Sequence, residues 1–329
     1  MNHTLPQGIH EFLGDTAWQG AEIAPLVGDA SFRRYFRLRM GGRSAMLMHA
    51  PPPHEDPAPF LHVAHWLAAN GMRAPEIYAE LPEQGWVLTE DFGDFRMKEW
   101  IDEHPSDEQA IYAQAIDALV QLHRLPAGPF EPYDMAVYQR EAGLFTEWYC
   151  PAAGLSVDEA GWTRAWDEAL APLLERQQPG VTVLRDYHAE NIMLLEPGKL
   201  GGEQGIIDFQ DALVGHKAYD LVSLLQDARR DVSEQLEHDM MCRYRAAADP
   251  DEHFEADYAR LGAQRNAKIV GIFTRLYKRD GKPRYLRMIP RVWKAMERDL
   301  QHEALAPVAA WFEANIPQAL RDVHGGEIA

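Results

Sequence analysis

The spacing of apolar residues changes near residue 93. Before that point the period is close to two, the signature of half-buried strands. Tyr35-Phe36-Arg37-Leu38 alternates, Ser44-Ala45-Met46-Leu47-Met48-His49-Ala50 reads as the next strand, and another runs through Trp86-Val87-Leu88-Thr89. One helix is expected between them, over 57–70. Beyond residue 93 the spacing becomes helical. Ser106-Asp107-Glu108-Gln109 is a capping-box sequence opening a helix with Ile111, Ala115, Leu119 and Leu122 on one face. Ser156-Val157-Asp158-Glu159 opens another that runs toward Glu175, and further helices are expected near 218–228, 232–247, 253–280 and 284–300. Two short apolar runs, Ile192-Met193-Leu194-Leu195 and Ile206-Ile207, read as a strand pair. The pattern predicts an α+β chain, with a small β-rich lobe over 1–92 and a larger, mainly helical lobe over 93–329.

Composition narrows the function classes. The chain has 329 residues, 46% of them hydrophobic, enough for a core in each lobe. No run of about 18 apolar residues occurs, so no membrane span is expected. The net charge of −19 argues against nucleic acid or an anionic membrane as partner. Cys150 and Cys242 stand in no metal spacing, which predicts a reducing compartment. The start, Met1-Asn2-His3-Thr4-Leu5-Pro6, lacks a basic and an apolar export region, so a cytoplasmic location is expected; a monomer is a separate expectation.

Candidate chemistry concentrates in Leu184-Arg185-Asp186-Tyr187-His188-Ala189-Glu190-Asn191 and in Ile206-Ile207-Asp208-Phe209. Asn191 follows Asp186 by five positions, and Asp208 follows it by 22. A kinase-type phosphoryl-transfer site needs one carboxylate facing the acceptor hydroxyl. It also needs an amide oxygen and a second carboxylate to hold Mg2+ against ATP. Asp186 fits the first role; Asn191 and Asp208 fit the others.

These motifs resemble the aminoglycoside phosphotransferase and choline-kinase family of the protein-kinase-like fold. There the catalytic segment typically reads Gly-Asp-x-His-x-x-Asn, and His188 falls where that pattern asks. Asp220, in Ala218-Tyr219-Asp220-Leu221, comes only 12 residues after Asp208 and leaves no room for a protein-kinase activation segment, so a small-molecule acceptor is expected. The resemblance implies that His188 orders the loop and that Asp220 braces it. Asp211 reads as a solvated loop acid, with metal contact as the alternative. The resemblance also implies nucleotide contacts from Gly28, Ser31, Phe32, Arg33 and Arg34 in a phosphate-covering loop. Backbone groups near Glu90 and Phe92 would take the adenine, with the acidic side chains there left in water.

Two features depart from the family. The loop has one glycine, Gly28, where three are usual. The strand over 44–50 carries no lysine for the phosphates, and the 57–70 helix holds no glutamate to pair with one, so Arg33 or Arg34 would supply the charge.

Within the family, three stretches resemble the bacterial anomeric amino-sugar kinases of cell-wall recycling. They are Gly28-Asp29-Ala30-Ser31-Phe32-Arg33-Arg34-Tyr35-Phe36-Arg37, Leu184-Arg185-Asp186-Tyr187-His188 and Leu276-Tyr277-Lys278-Arg279-Asp280-Gly281-Lys282. That likeness implies ATP-dependent phosphorylation of the C1 hydroxyl of N-acetylmuramate or N-acetylglucosamine. Residues 260–298 hold twelve Lys or Arg and two acids, either a solvated face or an anion site including Arg275, Lys278 and Arg279. Trp148, Trp162, Trp166 and Trp293 are core or sugar-stacking residues. Two alternatives stay open: another small acceptor (an aminoglycoside, choline or an amino acid), or a non-catalytic nucleotide-binding scaffold.

Overall fold

The computed structural model describes residues 5–26, 32–199, 201–326 and 328. Its internal contacts divide the chain into two units: Met1–Glu103 with Asn191–Asp211, and His104–Glu190 with Ala212–Ala329.

The first unit is built on an antiparallel sheet in the order β1-β2-β3-β5-β4. Its strands are β1 (Glu22–Pro25), β2 (Arg34–Met40), β3 (Arg43–His49), β4 (Ile77–Leu81) and β5 (Trp86–Glu90). The two-residue alternation does what it predicts. Phe36 faces Leu47 and Leu38 faces Ala45 across the β2–β3 ladder, and all four are fully buried. Helix α1 (Ile9–Gly14) lays Ile9, Phe12 and Leu13 on that face, joined by Trp18, Trp86 and Leu88. Each such apolar side chain contributes about 1.5–3 kcal/mol when fully buried.

Two further helices belong here, α2 (Ala58–Ala69) and α3 (Met97–Glu103). So does a second small sheet. Strand β6 (Val181–Val183) lies in the other unit, but β7 (Ile192–Leu194) and β8 (Gln204–Ile206) pair with each other in this one. The Leu194 N–H donates to the Phe95 carbonyl at 2.8 Å and the Ile206 N–H to that of Arg73 at 2.9 Å.

The second unit is mainly helical. It contains α4 (Glu108–Arg124), α5 (Met135–Leu144), α6 (Cys150–Ala152), α7 (Glu159–Arg176), α8 (Ala218–Leu225), α9 (Glu234–Ala248) and α10 (Phe254–Lys278). After these come α11 (Ile289–Asp299), α12 (Ala306–Asn315) and α13 (Gln318–Asp322), while β9 (Leu213–Gly215) pairs with β6. Helix α10 is buried around most of its girth and packs against α5, α8 and α11. Trp162, Trp166 and Trp293 are 2% exposed or less, and the rings of Trp162 and Trp293 pack on Phe145 and Phe312. These three tryptophans are core, not sugar platforms.

Both expected caps shift. The predicted capping box at Ser106 is not formed, because residues 105–107 make a 3-10 turn and the Ser106 hydroxyl donates to Asp107 at 3.3 Å. Asp158, not Ser156, caps α7 by accepting from the Gly161 N–H at 2.8 Å.

Candidate active site

Asp186 lies in the second unit, in the segment that follows β6. That segment is held from below by one buried acid. Asp220, in the first turn of α8, accepts the Leu184 N–H at 2.6 Å and the Arg185 N–H at 2.8 Å. The bracing expected of Asp220 is what the structure shows. His188 is 2% exposed, and its Nε2 lies 3.1 Å from Arg229 Nη1. Arg229 also pairs with Glu190 at 3.2 Å. Asp227 accepts the N–H groups of Ala189 and Arg229 at 3.2 and 2.8 Å. The loop is thus fixed on both sides of Asp186.

Burial raises the Asp220 pKa from 3.8 to about 7, against the two backbone donors, which favour the charged form. A carboxyl whose folded pKa is raised contributes most stability below its unfolded pKa and loses that contribution as pH rises toward the folded one. Asp220→Asn cannot titrate and sets an amide NH2 against a backbone donor. We expect a loss of about 1–3 kcal/mol in chemical denaturation, larger at pH 5 than at pH 8. Equal losses at both pH values would show that Asp220 does not titrate in this range.

Asn191 and Asp208 come together in the first unit. Asn191 Nδ2 donates to Asp208 Oδ2 at 3.2 Å, and Gln210 Nε2 donates to Asp208 Oδ1 at 3.0 Å. Asp208 is exposed and has φ +61°, a left-handed conformation that Asp and Asn tolerate better than most residues. An exposed carboxylate beside an amide is a hard oxygen donor set, which suits Mg2+. Asp211 is exposed.

The phosphate-side candidates are partly visible. Gly28 and Ser31 lie outside the described residues. Phe32 is exposed, its ring stacked on His54 at 5.2 Å. Arg33 Nε pairs with Glu55 Oε2 at 3.1 Å, and the Phe32 N–H donates to Glu55 Oε1 at 3.2 Å. The helix itself holds no glutamate, as expected, and Arg33 takes its acid from the segment before it. Glu55 precedes α2, so a search confined to that helix passes it by. Tyr35 is drawn into the same group. Burial raises its pKa and Arg33 opposes this by charge and by a hydrogen bond, while Asp208 and Glu55 add to the rise. Arg34 lies across the ladder from His49, with its guanidinium 5.1 Å from the Phe36 ring.

At the strand end, the acids expected in water are paired. Arg73 makes bonds of 2.7 and 2.6 Å to Glu90, whose pKa is lowered chiefly by that contact. Arg37 binds Asp91 and Asp94 at 2.7 and 2.8 Å. The Glu90 N–H already donates to the Glu76 carbonyl at 2.8 Å. The Phe92 ring packs so closely on β8 that a Cβ at Gly205 would sit 2.4 Å from it, which explains a glycine in that strand.

The basic segment is partly answered by acids of its own unit. Arg260 and Arg176 share the buried Asp257, Arg298 pairs with Glu237, Arg291 with Asp231 and Arg279 with Asp280. Arg230, Arg291, Lys294 and Arg298 line a cavity of about 1070 Å3 with Asp231 and Glu237. Arg275, Lys278 and Arg279 stand at the C-terminal end of α10. Composition did not reveal Glu141, a buried acid of α5 that receives both Arg185 and Lys268. Its one sequence signal is that it shares the apolar face formed by Tyr138, Ala142 and Phe145.

A family model described as "Phosphotransferase enzyme family" matches residues 22–263. The chain is 39% identical over 311 residues to the N-acetylmuramate/N-acetylglucosamine kinase of Pseudomonas aeruginosa, a match covering 91% of this chain and 89% of that protein. The protein of that name from Caulobacter vibrioides is 34% identical over 351 residues, with 94% and 96% covered. Among solved structures, a putative aminoglycoside phosphotransferase from Ralstonia eutropha has a TM-score of 0.62 at 14% identity, covering 94% of this chain and 98% of its own. The ADP-bound aminoglycoside phosphotransferase APH(2'')-Ib gives 0.56 at 13%, covering 91% and 98%. At such identities these two likenesses speak for the fold alone, which is kinase-like.

Proposed function

This chain belongs to the phosphotransferase enzyme family, and from that premise we propose that it transfers the γ-phosphoryl group of ATP to the C1 hydroxyl of N-acetylmuramate and N-acetylglucosamine. The observation that carries this reading is the pair of motifs: a braced loop presenting Asp186, and an oxygen pair at Asn191 and Asp208. The relatives' names supply the acceptor, and the ADP-bound neighbour supports the donor. In this reading residues 1–92 bind nucleotide, and residues 93–329 carry catalysis and the acceptor.

Asp186 orients the C1 hydroxyl and accepts its proton as the phosphoryl group migrates. Asn191 and Asp208 would hold Mg2+, which when bound neutralises charge on the phosphate oxygens. Loop amides at Gly28 and Ser31, beside Phe32, steady the phosphates. Arg33 or Arg34 replaces the missing lysine, and the shared surroundings of Arg33, Tyr35 and Asp208 favour Arg33. Backbone groups near Glu90 and Phe92 take the adenine.

Turnover of ATP by the purified chain, with and without each sugar, is the test. Turnover with choline or an aminoglycoside instead would favour a different small acceptor. Turnover with none would leave a nucleotide-binding scaffold.

Arg275, Lys278 and Arg279 are proposed to attract the lactyl carboxylate of N-acetylmuramate. Arg275 lies seven residues, about 10 Å, beyond Lys268 on the same face of α10. Neutralising any one should raise the KM for N-acetylmuramate about threefold to tenfold, the exposed ones less through screening, and leave that for N-acetylglucosamine unchanged. Equal effects on the two sugars would return these residues to a solvated helix end.

A further inference from the structure

The residue before Asp186 sits where a glycine would be at ease. Arg185 has φ +72°, a conformation that is strained for any residue with a Cβ. Its backbone is pinned there. The N–H donates to Asp220, and the carbonyl accepts the Ser223 hydroxyl at 3.2 Å, which itself receives Arg265 at 2.8 Å. Strain kept at such a site calls for a role of the side chain.

That side chain joins a charge cluster within the second unit. The guanidinium pairs with Glu141 and lies 5.8 Å from the Tyr133 ring, and the Tyr133 hydroxyl also donates to Glu141. From the middle of α10, Lys268 Nζ donates to Glu141 at 2.9 Å and to the Tyr219 hydroxyl at 3.2 Å. Glu141 is 6% exposed at its side chain, whereas Arg185 is 20% and Lys268 13% exposed. Two cations thus share the Glu141 carboxylate. An ammonium carries three protons, and the third on Lys268 has no partner among the described residues. Asp186 is close enough to add to the field that keeps both cations charged.

We infer that Arg185 and Lys268 form the subsite for the acetamido carbonyl oxygen of the acceptor sugar. The inference rests on the amino-sugar kinase reading and deepens it. In these sugars the acetamido group is borne by the carbon next to C1, whose hydroxyl Asp186 serves, so donors flanking Asp186 meet that group first. The lactyl ether stands one carbon further away. A free ammonium in place of the acetamide has only N–H donors and no oxygen to accept from Arg185 or Lys268, so the pair selects N-acetylated sugars over glucosamine.

The test is steady-state kinetics of the full chain with N-acetylglucosamine, N-acetylmuramate and glucosamine, alongside thermal unfolding. Arg185→Gly should stay folded, because glycine suits that φ and Lys268 remains on Glu141, which together offset part of the lost pairing. Arg185→Gly and Lys268→Met should each lose at least about tenfold in kcat/KM for both N-acetyl sugars, mostly through KM. Preference over glucosamine should fall by a like factor, the KM for ATP should hold, and Lys268→Arg should recover part of the loss. Unchanged kcat/KM in both variants would overturn the proposal. So would an equal loss with glucosamine, which would mark a structural role, or a loss confined to N-acetylmuramate, which would move the pair to the lactyl carboxylate. If the unaltered protein phosphorylates none of the three sugars, the amino-sugar kinase reading itself fails.

Discussion

Asp186→Asn should cut kcat by about 10²–10⁴-fold, the range for losing a positioned proton acceptor. The affinity for ATP should hold, because the oxygens proposed to bind the metal lie elsewhere, at Asn191 and Asp208. The substitution keeps the shape of the side chain, and the bonds that brace the loop run through the N–H groups of Leu184 and Arg185. The folded variant should therefore match the original in thermal unfolding. Single-turnover phosphorylation of N-acetylglucosamine separates chemistry from product release. A rate within about threefold of the original would take the proton-acceptor role away from Asp186.

Replacing Asp208 should damage binding as well as turnover. Charge stabilisation by a bound metal amounts to several kcal/mol, so turnover should fall at least about a hundredfold. Nucleotide affinity should weaken, and the Mg2+ concentration needed for half-maximal binding should rise. Asp208→Asn is the cleaner substitution, because asparagine tolerates the φ of +61° and can still accept from Gln210, whereas alanine adds strain. Titrating fluorescent nucleotide at several Mg2+ concentrations reads both effects. An unaltered Mg2+ requirement would show that Asp208 is not a ligand.

Much of this was legible in the chain itself, and the failures share a cause. Local period gave β2, β3 and the long helices, because Phe36, Leu38, Ala45 and Leu47 need only their neighbours to declare a buried face. Fixed spacing singled out Asp186, Asn191 and Asp208, and the fold sets Asn191 against Asp208. The missed features depend on residues distant in sequence. Arg33 meets Glu55, Arg73 meets Glu90 and Arg298 meets Glu237 only once the chain is folded. The basic stretch looked like surplus charge for the same reason. The displaced cap at Ser106 is a local error, made because a 3-10 turn and a capping box share the same residue types.

The return of residues 191–211 to the first unit also bears on how that unit can be made. A ribosome must deliver the whole of β7 and β8 before the oxygen pair exists, long after β5 has emerged. A fragment ending at Glu103 lacks the partner of Phe92 at Gly205 and the Phe209 ring that stacks on Phe60 at 5.2 Å. It also leaves the carbonyls of Arg73 and Phe95 without the β8 and β7 donors. Such distant pairings slow folding, because the loop must close before its contacts repay the lost entropy. Fragments for binding studies are better obtained by joining residue 103 to residue 191 through a short linker than by truncation. During synthesis, the half-made sheet unit is the stage at which a chaperone would find exposed aromatic surface.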